Sequence, residues 1–472
     1  MTPTGELALL SAQELLDGYR AGSFTPLDAL EAVLDQRDAL DPKLNAFCHL
    51  DRDGARAQAE ASAKRWRAQA PQGVLDGVPV SIKDIILTAG WPTLRGSRTV
   101  DPDQPWTEDG PAVARLREAG AVLFGKTTTP EFAFKGVTDS PLTGITRNPW
   151  NTAMTPGGSS GGGSAAVAAG IGPLALATDA GGSVRIPASF AGLFGHKPSG
   201  GRVPMYPPTP YGSLAGFGPL ARTVRDGALM LSVIARPDPR DWEADPSEPP
   251  DYLAALEAAD PTRWRIAFSP TLGYVEVDPE VAAIVARAAE VFSSLGAQVE
   301  QVDHVLDDPW PVLARYKRGL TAFAFRNVAP AQYGLMDPAL VAEIEESKGA
   351  SLQEHLAAQL ERAAIARHMA RFHQRYDLLL TPTLAVPPFE AGRDQPQGYD
   401  GRAWYGFTYP FNLTRQPAAS VPCGLTASGL PVGLHIVGPA RNDLRVLQAA
   451  RAFERQCPWQ PLAPMAYRID TP

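Results

Sequence analysis

Residues 157–187 read GGSSGGGSAAVAAGIGPLALATDAGGSVRIP. Two adjacent serines, Ser159 and Ser160, lie in a glycine-rich loop spanning 155–163. A helix of small residues is expected over 164–170, and an apolar strand over 174–178. A tight turn over 179–183 then ends in a third serine, Ser183, directly behind Gly181 and Gly182. Upstream, VPVSIKDIIL (78–87) has the look of a short buried strand ending at Lys83. A helix over 110–119 and a strand over 121–124 follow, with 125–130 as the loop at the strand's end. A strand–helix–strand order of this kind predicts an α/β protein built on a layered sheet.

Working outward, Ser11 with Glu14 forms a capping-box pattern ahead of a helix over 12–21. Thr25 with Pro26 opens a second, to about residue 40. A third, rich in Ala, Arg and Gln, covers 52–70. These three read as a surface layer without chemistry. Downstream, 192–197 and 200–203 continue the core, and Thr223 with Asp226 caps a helix to about 235. Residues 237–250 hold five prolines and many acids, an exposed loop and the best internal boundary. Beyond it, strands are expected at 264–268, 297–302, 378–381, 418–423 and 432–437. Helices are expected at 279–295, 310–329, 352–375 and 444–456. The chain thus divides into an N-terminal helical layer (1–70), a core that carries the glycine- and serine-rich loops (71–236) and a C-terminal part completing the same sheet (237–472).

Bulk properties exclude several classes. The chain has 472 residues, 44% hydrophobic and 20% charged, as globular proteins do. A formal charge of −8 and the lack of a concentrated basic run argue against nucleic-acid binding. Three cysteines, Cys48, Cys423 and Cys457, form no CxxC pair, which suits a reducing cytoplasm. The N-terminal residues lack a signal-peptide pattern, and no apolar run is long enough to span a bilayer. Cysteine and histidine spacings suggest no metal site and no cofactor.

The glycine loop is not a nucleotide-binding loop, because no lysine follows the glycines as that motif requires. A Gly/Ser run alone is commonly a flexible connection. Its functional reading is that glycine reaches dihedral regions closed to other residues, so backbone N–H groups can turn inward. Ser183 needs a base to become a nucleophile. Among the seven histidines, His196, His304 and His435 lie near core segments, but none sits in a Ser-His-Asp signature, and Ser183 lacks the G-x-S-x-G elbow. Lys83 fits better. A strand-end lysine is ordinarily a surface charge. Here Val78, Val80, Ile82, Ile85, Ile86 and Leu87 surround it, and burial lowers a lysine's pKa until the neutral amine can act as base. Ser-Lys pairs are a known variant of triad logic.

Three separated blocks, LDGVPVSIKD (75–84), PGGSSGGGSAAVAAG (156–170) and ATDAGGSVRIPASFAGLFGHKPS (177–199), together resemble the amidase signature family, in the family's order. The likeness extends to FNLTRQPAASVPCG (411–424) and GLPVGLHIVG (429–438). Ser183 lies 24 positions after Ser159, the family's usual spacing. The resemblance implies a large twisted mixed β-sheet covered by helices on both faces, in one domain. It implies Ser183 as the acyl-enzyme nucleophile, Ser159 as the bridging serine after a cis peptide bond, and Lys83 as base. The N–H groups of Ala180, Gly181, Gly182 and Ser183 would form the oxyanion hole, with Ser160, Asp179 and Arg185 in support. One departure is Gly163, which lengthens the glycine run while leaving the serine spacing intact.

The resemblance therefore implies an amidohydrolase cleaving a small-molecule carboxylic amide to acid plus ammonia or amine. The alternative is the glutamine-hydrolysing amidase component of a tRNA-dependent amidotransferase. A non-catalytic binding protein on the same fold is the more remote one, disfavoured because all three catalytic positions are filled. A homodimer is the family-based expectation. Phe132, Phe134, Trp404, Tyr405, Phe407 and Tyr409 are candidate walls of the substrate pocket, with core packing as the plain alternative for each.

Overall fold

A computed structural model describes residues 4–209, 211–399, 401–459 and 462–467. Its strands, in chain order, are β1 (Phe47–Leu50), β2 (Pro79–Lys83), β3 (Val122–Thr127), β4 (Asp139–Ser140), β5 (Gly144–Ile145), β6 (Leu174–Asp179), β7 (Phe194–Lys197), β8 (Gly216–Ala221), β9 (Arg265–Phe268), β10 (Gln298–Gln301), β11 (Leu378–Pro382), β12 (Ala418–Leu425) and β13 (Pro431–Val437). All but the β4–β5 hairpin join one sheet of order β1-β3-β2-β6-β8-β7-β12-β13-β11-β9-β10. The sheet is mixed: β2 runs parallel to β3 and β6, whereas β6–β8, β8–β7 and β7–β12 are antiparallel. Strands from beyond residue 237 continue the sheet begun by the first half.

Alternation along the strands divides the core into two layers. Val80 and Ile82 of β2, Leu174 and Leu176 of β6, Leu378 and Leu380 of β11, and Leu434 and Ile436 of β13 share one cluster. Their neighbours face the other way. Ala175 and Ala177 of β6 pack with Val167 and Ala168 of the helix Gly161–Ala168, and Leu379 and Val437 join a third cluster. The helices Val224–Ile234, Pro279–Ser294 and Asp443–Gln456 supply the apolar stripes that meet the first layer.

The N-terminal helices Ala12–Ala21 and Pro26–Leu44 start at the capping boxes of Ser11 with Glu14 and Thr25 with Asp28. Three elements differ from expectation. Residues 47–50 form edge strand β1, paired with β3, so the N-terminal layer also contributes to the sheet. Residues 216–221, unassigned in the sequence, form β8 beside β6, while 200–203 continue the core through the buried Arg202 and Val203 without forming a strand. The small-residue helix begins at Gly161, three residues early, because its first turn runs against backbone: a Cβ on Gly162 would lie 2.4 Å from the Thr128 nitrogen. Close packing there outweighs glycine's poor helix propensity. No helix among the described residues is long and apolar enough to cross a membrane.

Candidate active site

Lys83 is the last residue of β2 and Asp179 the last of β6, two parallel neighbours inside the sheet, third and fourth from its β1 edge. Open α/β sheets present ligand sites outside the carboxyl ends of such strands. Lys83 is 1% exposed. Its Nζ donates to Ser159 Oγ at 2.7 Å and to Thr178 Oγ1 at 2.9 Å. Burial pushes its pKa well below the ordinary lysine value, against the pull of the Asp179 carboxylate. An amine held neutral in this way can accept a proton from Ser159.

Ser159 is buried and follows a cis peptide bond from Gly158. Gly158 has no room for a side chain, since a Cβ would lie 2.5 Å from the Val137 carbonyl oxygen. Ser160 occupies the N-cap position of the helix Gly161–Ala168 and donates from Oγ to the Thr178 carbonyl at 3.2 Å. The two serines therefore divide their work: Ser159 touches Lys83, and Ser160 ties the glycine loop to the end of β6.

Ser183 stands half-buried in the turn between β6 and the helix Arg185–Ala191. Its hydroxyl has no hydrogen-bond partner among the described residues, unlike that of Ser159. The turn is organised by Asp179, which is fully buried and accepts Gly182 N–H at 2.8 Å and Val184 N–H at 3.1 Å. Arg185 grips the same carboxylate with two bonds of 3.0 Å, from Nε and a terminal guanidinium nitrogen. Burial by itself would raise the Asp179 pKa, but the Arg185 charge and hydrogen bonds hold it well below the usual carboxylate range.

These bonds correct the expectation of four oxyanion donors. Gly182 N–H is already committed to Asp179. Those of Ala180, Gly181 and Ser183 have no backbone or side-chain acceptor among the described residues. Gly182 is required for another reason. Its φ is +135°, and a Cβ there would lie 2.4 Å from Thr408 Oγ1. The Thr408 hydroxyl donates to the Gly181 carbonyl at 2.7 Å.

Three supporting residues went unassigned in the sequence. Asn412 Nδ2 donates to Asp179 Oδ1 at 2.9 Å, while its Oδ1 accepts from Arg185 at 2.7 Å. Thr178 shares the Lys83 amine. His435 Nε2 lies 3.1 Å from the Arg185 guanidinium, which can only donate, so Nε2 is the acceptor and the ring's proton sits on Nδ1. Burial, and then the Arg185 charge, push His435 well below its ordinary pKa. Asn412 and His435 fall inside the blocks 411–424 and 429–438, but nothing local marks them, because their partners lie over two hundred residues away.

Of the aromatic candidates, Trp404 is a core residue and not a pocket wall. It is 0% exposed, stacked on Phe190 at 5.8 Å and edge-on to Phe389 at 5.1 Å. Phe407 is likewise enclosed. Phe132 and Phe134 pack into a satellite cluster with Phe325, Met336 and Leu340. Tyr409 is buried with its hydroxyl on Asp308 at 3.2 Å, and Tyr405 packs edge-on to Tyr409.

A family model described as Amidase matches residues 28–447. An acylamidase of Rhodococcus erythropolis is 36% identical over 95% of this chain and 96% of its own length. A Glutamyl-tRNA(Gln) amidotransferase subunit of Myxococcus xanthus is 37% identical over 96% of this chain and 98% of its own. Among solved structures, a bacterial aryl acylamidase of the amidase signature enzymes superposes with a TM-score of 0.89 at 33% identity, covering 97% of this chain and 98% of that one.

Proposed function

The chain belongs to the amidase family, and from that premise we propose that Lys83, Ser159 and Ser183 form a Ser-Ser-Lys triad working through an acyl-enzyme. Membership makes the protein a hydrolase acting on amide C–N bonds. The observation that carries the finer reading is the buried Lys83–Ser159 hydrogen bond of 2.7 Å at the strand ends.

In the proposed first step, the Ser183 oxygen attacks the amide carbon. The Ser183 proton passes to Ser159 as the Ser159 proton passes to the neutral Lys83 amine. The oxyanion that forms is met by the N–H groups of Ala180, Gly181 and Ser183. Preorganised donors of this kind contribute about 2.7–4 kcal/mol each. The proton held by Lys83 then returns through Ser159 to the leaving nitrogen, the C–N bond breaks, and the acyl group stays on Ser183. Water adds to the acyl-enzyme by the same relay and releases the carboxylic acid.

The substrates of this reading are small N-acyl or aryl amides, in keeping with the acylamidase relatives. A second reading, the glutamine-hydrolysing component of an amidotransferase, is favoured by the 37% identity to the Myxococcus xanthus protein. Hydrolysis of simple amides by the lone polypeptide separates the two.

Intact mass after exposure to a fluorophosphonate, with peptide mapping, tests the triad. The expected result is one adduct on Ser183, absent in Ser183→Ala and lost or greatly slowed in Lys83→Ala. A folded wild-type protein that labels elsewhere, or a Lys83→Ala variant that labels at the wild-type rate, refutes it.

A further inference from the structure

Lys317 and Arg402 share one carboxylate. Lys317 Nζ lies 2.7 Å from Glu343 Oε1, and Arg402 lies 3.1 Å from Glu343 Oε2. Lys317 is 13%, Glu343 20% and Arg402 27% exposed, so this group is mostly withdrawn from water, with one positive charge in excess among the described residues. Aromatic rings wall it. The Arg402 guanidinium stacks 4.9 Å over Trp310. Tyr211 has a buried hydroxyl without a hydrogen-bond partner among the described residues, near enough to Glu343 and Arg402 for their charges to act on it. A further acid on this wall, Asp308, is exposed and already accepts from Tyr409 and from Trp310 N–H.

Two routes tie the cluster to the Ser183 turn. Arg402 precedes the turn Ala403–Tyr405, and three residues beyond Tyr405 the Thr408 hydroxyl bonds the Gly181 carbonyl. Tyr211 precedes the turn Gly212–Leu214. The Leu214 carbonyl accepts from Asn412 at 3.0 Å, and Gly216 pairs with Asp179. The cation excess and the orphan phenol thus lie on segments whose continuations are bonded to the Ser183 turn.

We infer that Lys317, Arg402 and Tyr211 form a subsite for a carboxylate carried by the substrate away from its scissile amide. The inference rests on the hydrolase reading above and narrows its substrate class to anionic amides. A mostly buried cation without a full countercharge is costly, and a carboxylate answers it with charge-assisted bonds. Burial first, and the neighbouring Arg402 charge second, lower the Lys317 pKa to about 8, whereas at Arg402 burial is outweighed by Tyr405 and Glu343, which raise its pKa. The Tyr211 hydroxyl supplies one more donor to the same anion.

The test uses paired chromogenic amides on the intact protein. Half-amides of dicarboxylic acids with 4-nitroaniline (glutaryl, adipoyl, pimeloyl) are compared with neutral alkanoyl 4-nitroanilides of equal length. Alkanoyl 4-aminobenzoates are compared with alkanoyl anilides to place the charge on the leaving side. The expected result is a kcat/KM ratio of charged to neutral substrate of about tenfold or more on one side of the bond, and that side identifies where the carboxylate sits. The ratio falls about tenfold in both Arg402→Met and Lys317→Met; being a ratio, it cancels any uniform loss from altered folding. Neutral substrates favoured throughout, or a ratio unmoved in both variants, overturns the subsite. If Ser183 labels and neutral anilides are hydrolysed without charge preference, the subsite alone fails. If nothing labels and nothing is hydrolysed, the hydrolase reading fails with it.

Discussion

Lys83 is the residue whose chemistry depends most on its surroundings. In water a lysine amine is protonated at neutral pH and is no base. At 1% exposure and bonded to two hydroxyls, it has lost the solvation that favours the charged form. The proposed mechanism needs the neutral amine, so kcat/KM should fall as pH drops through the lowered Lys83 pKa, approaching tenfold per pH unit on the acid side. Lys83→Ala should cost about 10³-fold or more and should remove that limb from any residual activity. A pH–rate profile of both proteins on one anilide checks this; the same acid limb in the variant assigns it to another group. The apolar run around Lys83 made the lowered pKa foreseeable. Its second partner, Thr178, was not, because that contact exists only once β2 and β6 are side by side.

At the level of single elements, the Asp179–Arg185 pair shapes the turn that bears Ser183. Both side chains are at 0% exposure. Arg185→Met leaves a buried carboxylate without its charge partner, a change that typically costs about 3–5 kcal/mol. Gly182→Ala acts on the same turn by geometry, through its positive φ and the Thr408 contact. Urea unfolding should show a large loss for Arg185→Met and a smaller one for Gly182→Ala, with labelling of Ser183 impaired in both. Wild-type labelling in Arg185→Met would show that the turn holds its shape without the pair. The helix Arg185–Ala191 had no local signal, being seven residues long with Pro187 inside it. The glycine run was read as loop although Gly161 to Gly163 are helical, since what favours a helix there is backbone from a distant segment.

Across the whole molecule, a set of buried lysines links stability to pH. Burial lowers Lys126 to about 8, with Asp84 opposing, and lowers Lys197 to about 7, with Arg185 adding to the shift. Both amines bind a proton more weakly in the folded chain than in the unfolded one. As pH falls from the ordinary lysine value of about 10.4, the unfolded state is protonated first. Their contribution to stability therefore declines from about pH 10 downward and levels off below about 8 for Lys126 and about 7 for Lys197. Lys197→Met removes one such term. The difference in urea midpoint between wild type and variant should move toward the wild type as pH rises from about 7 to about 10; a difference constant with pH refutes the linkage.

The sequence alone determined the α/β class and most strands of the sheet, from the local order of apolar runs, capping boxes and turn residues. It also singled out Lys83, Ser159 and Ser183 as candidates, through the apolar run around Lys83 and the resemblance of the serine-bearing blocks to the amidase signature family. The tertiary structure decided what depends on distant partners. It set which N–H groups remain free, since Asp179 takes that of Gly182. It placed Trp404 in the core, gave Asn412 and His435 their roles around Arg185, and brought Lys317 and Arg402 to one carboxylate. Burial and charge pairing are properties of a neighbourhood, and the chain assembles that neighbourhood only when segments up to 250 residues apart close around one turn.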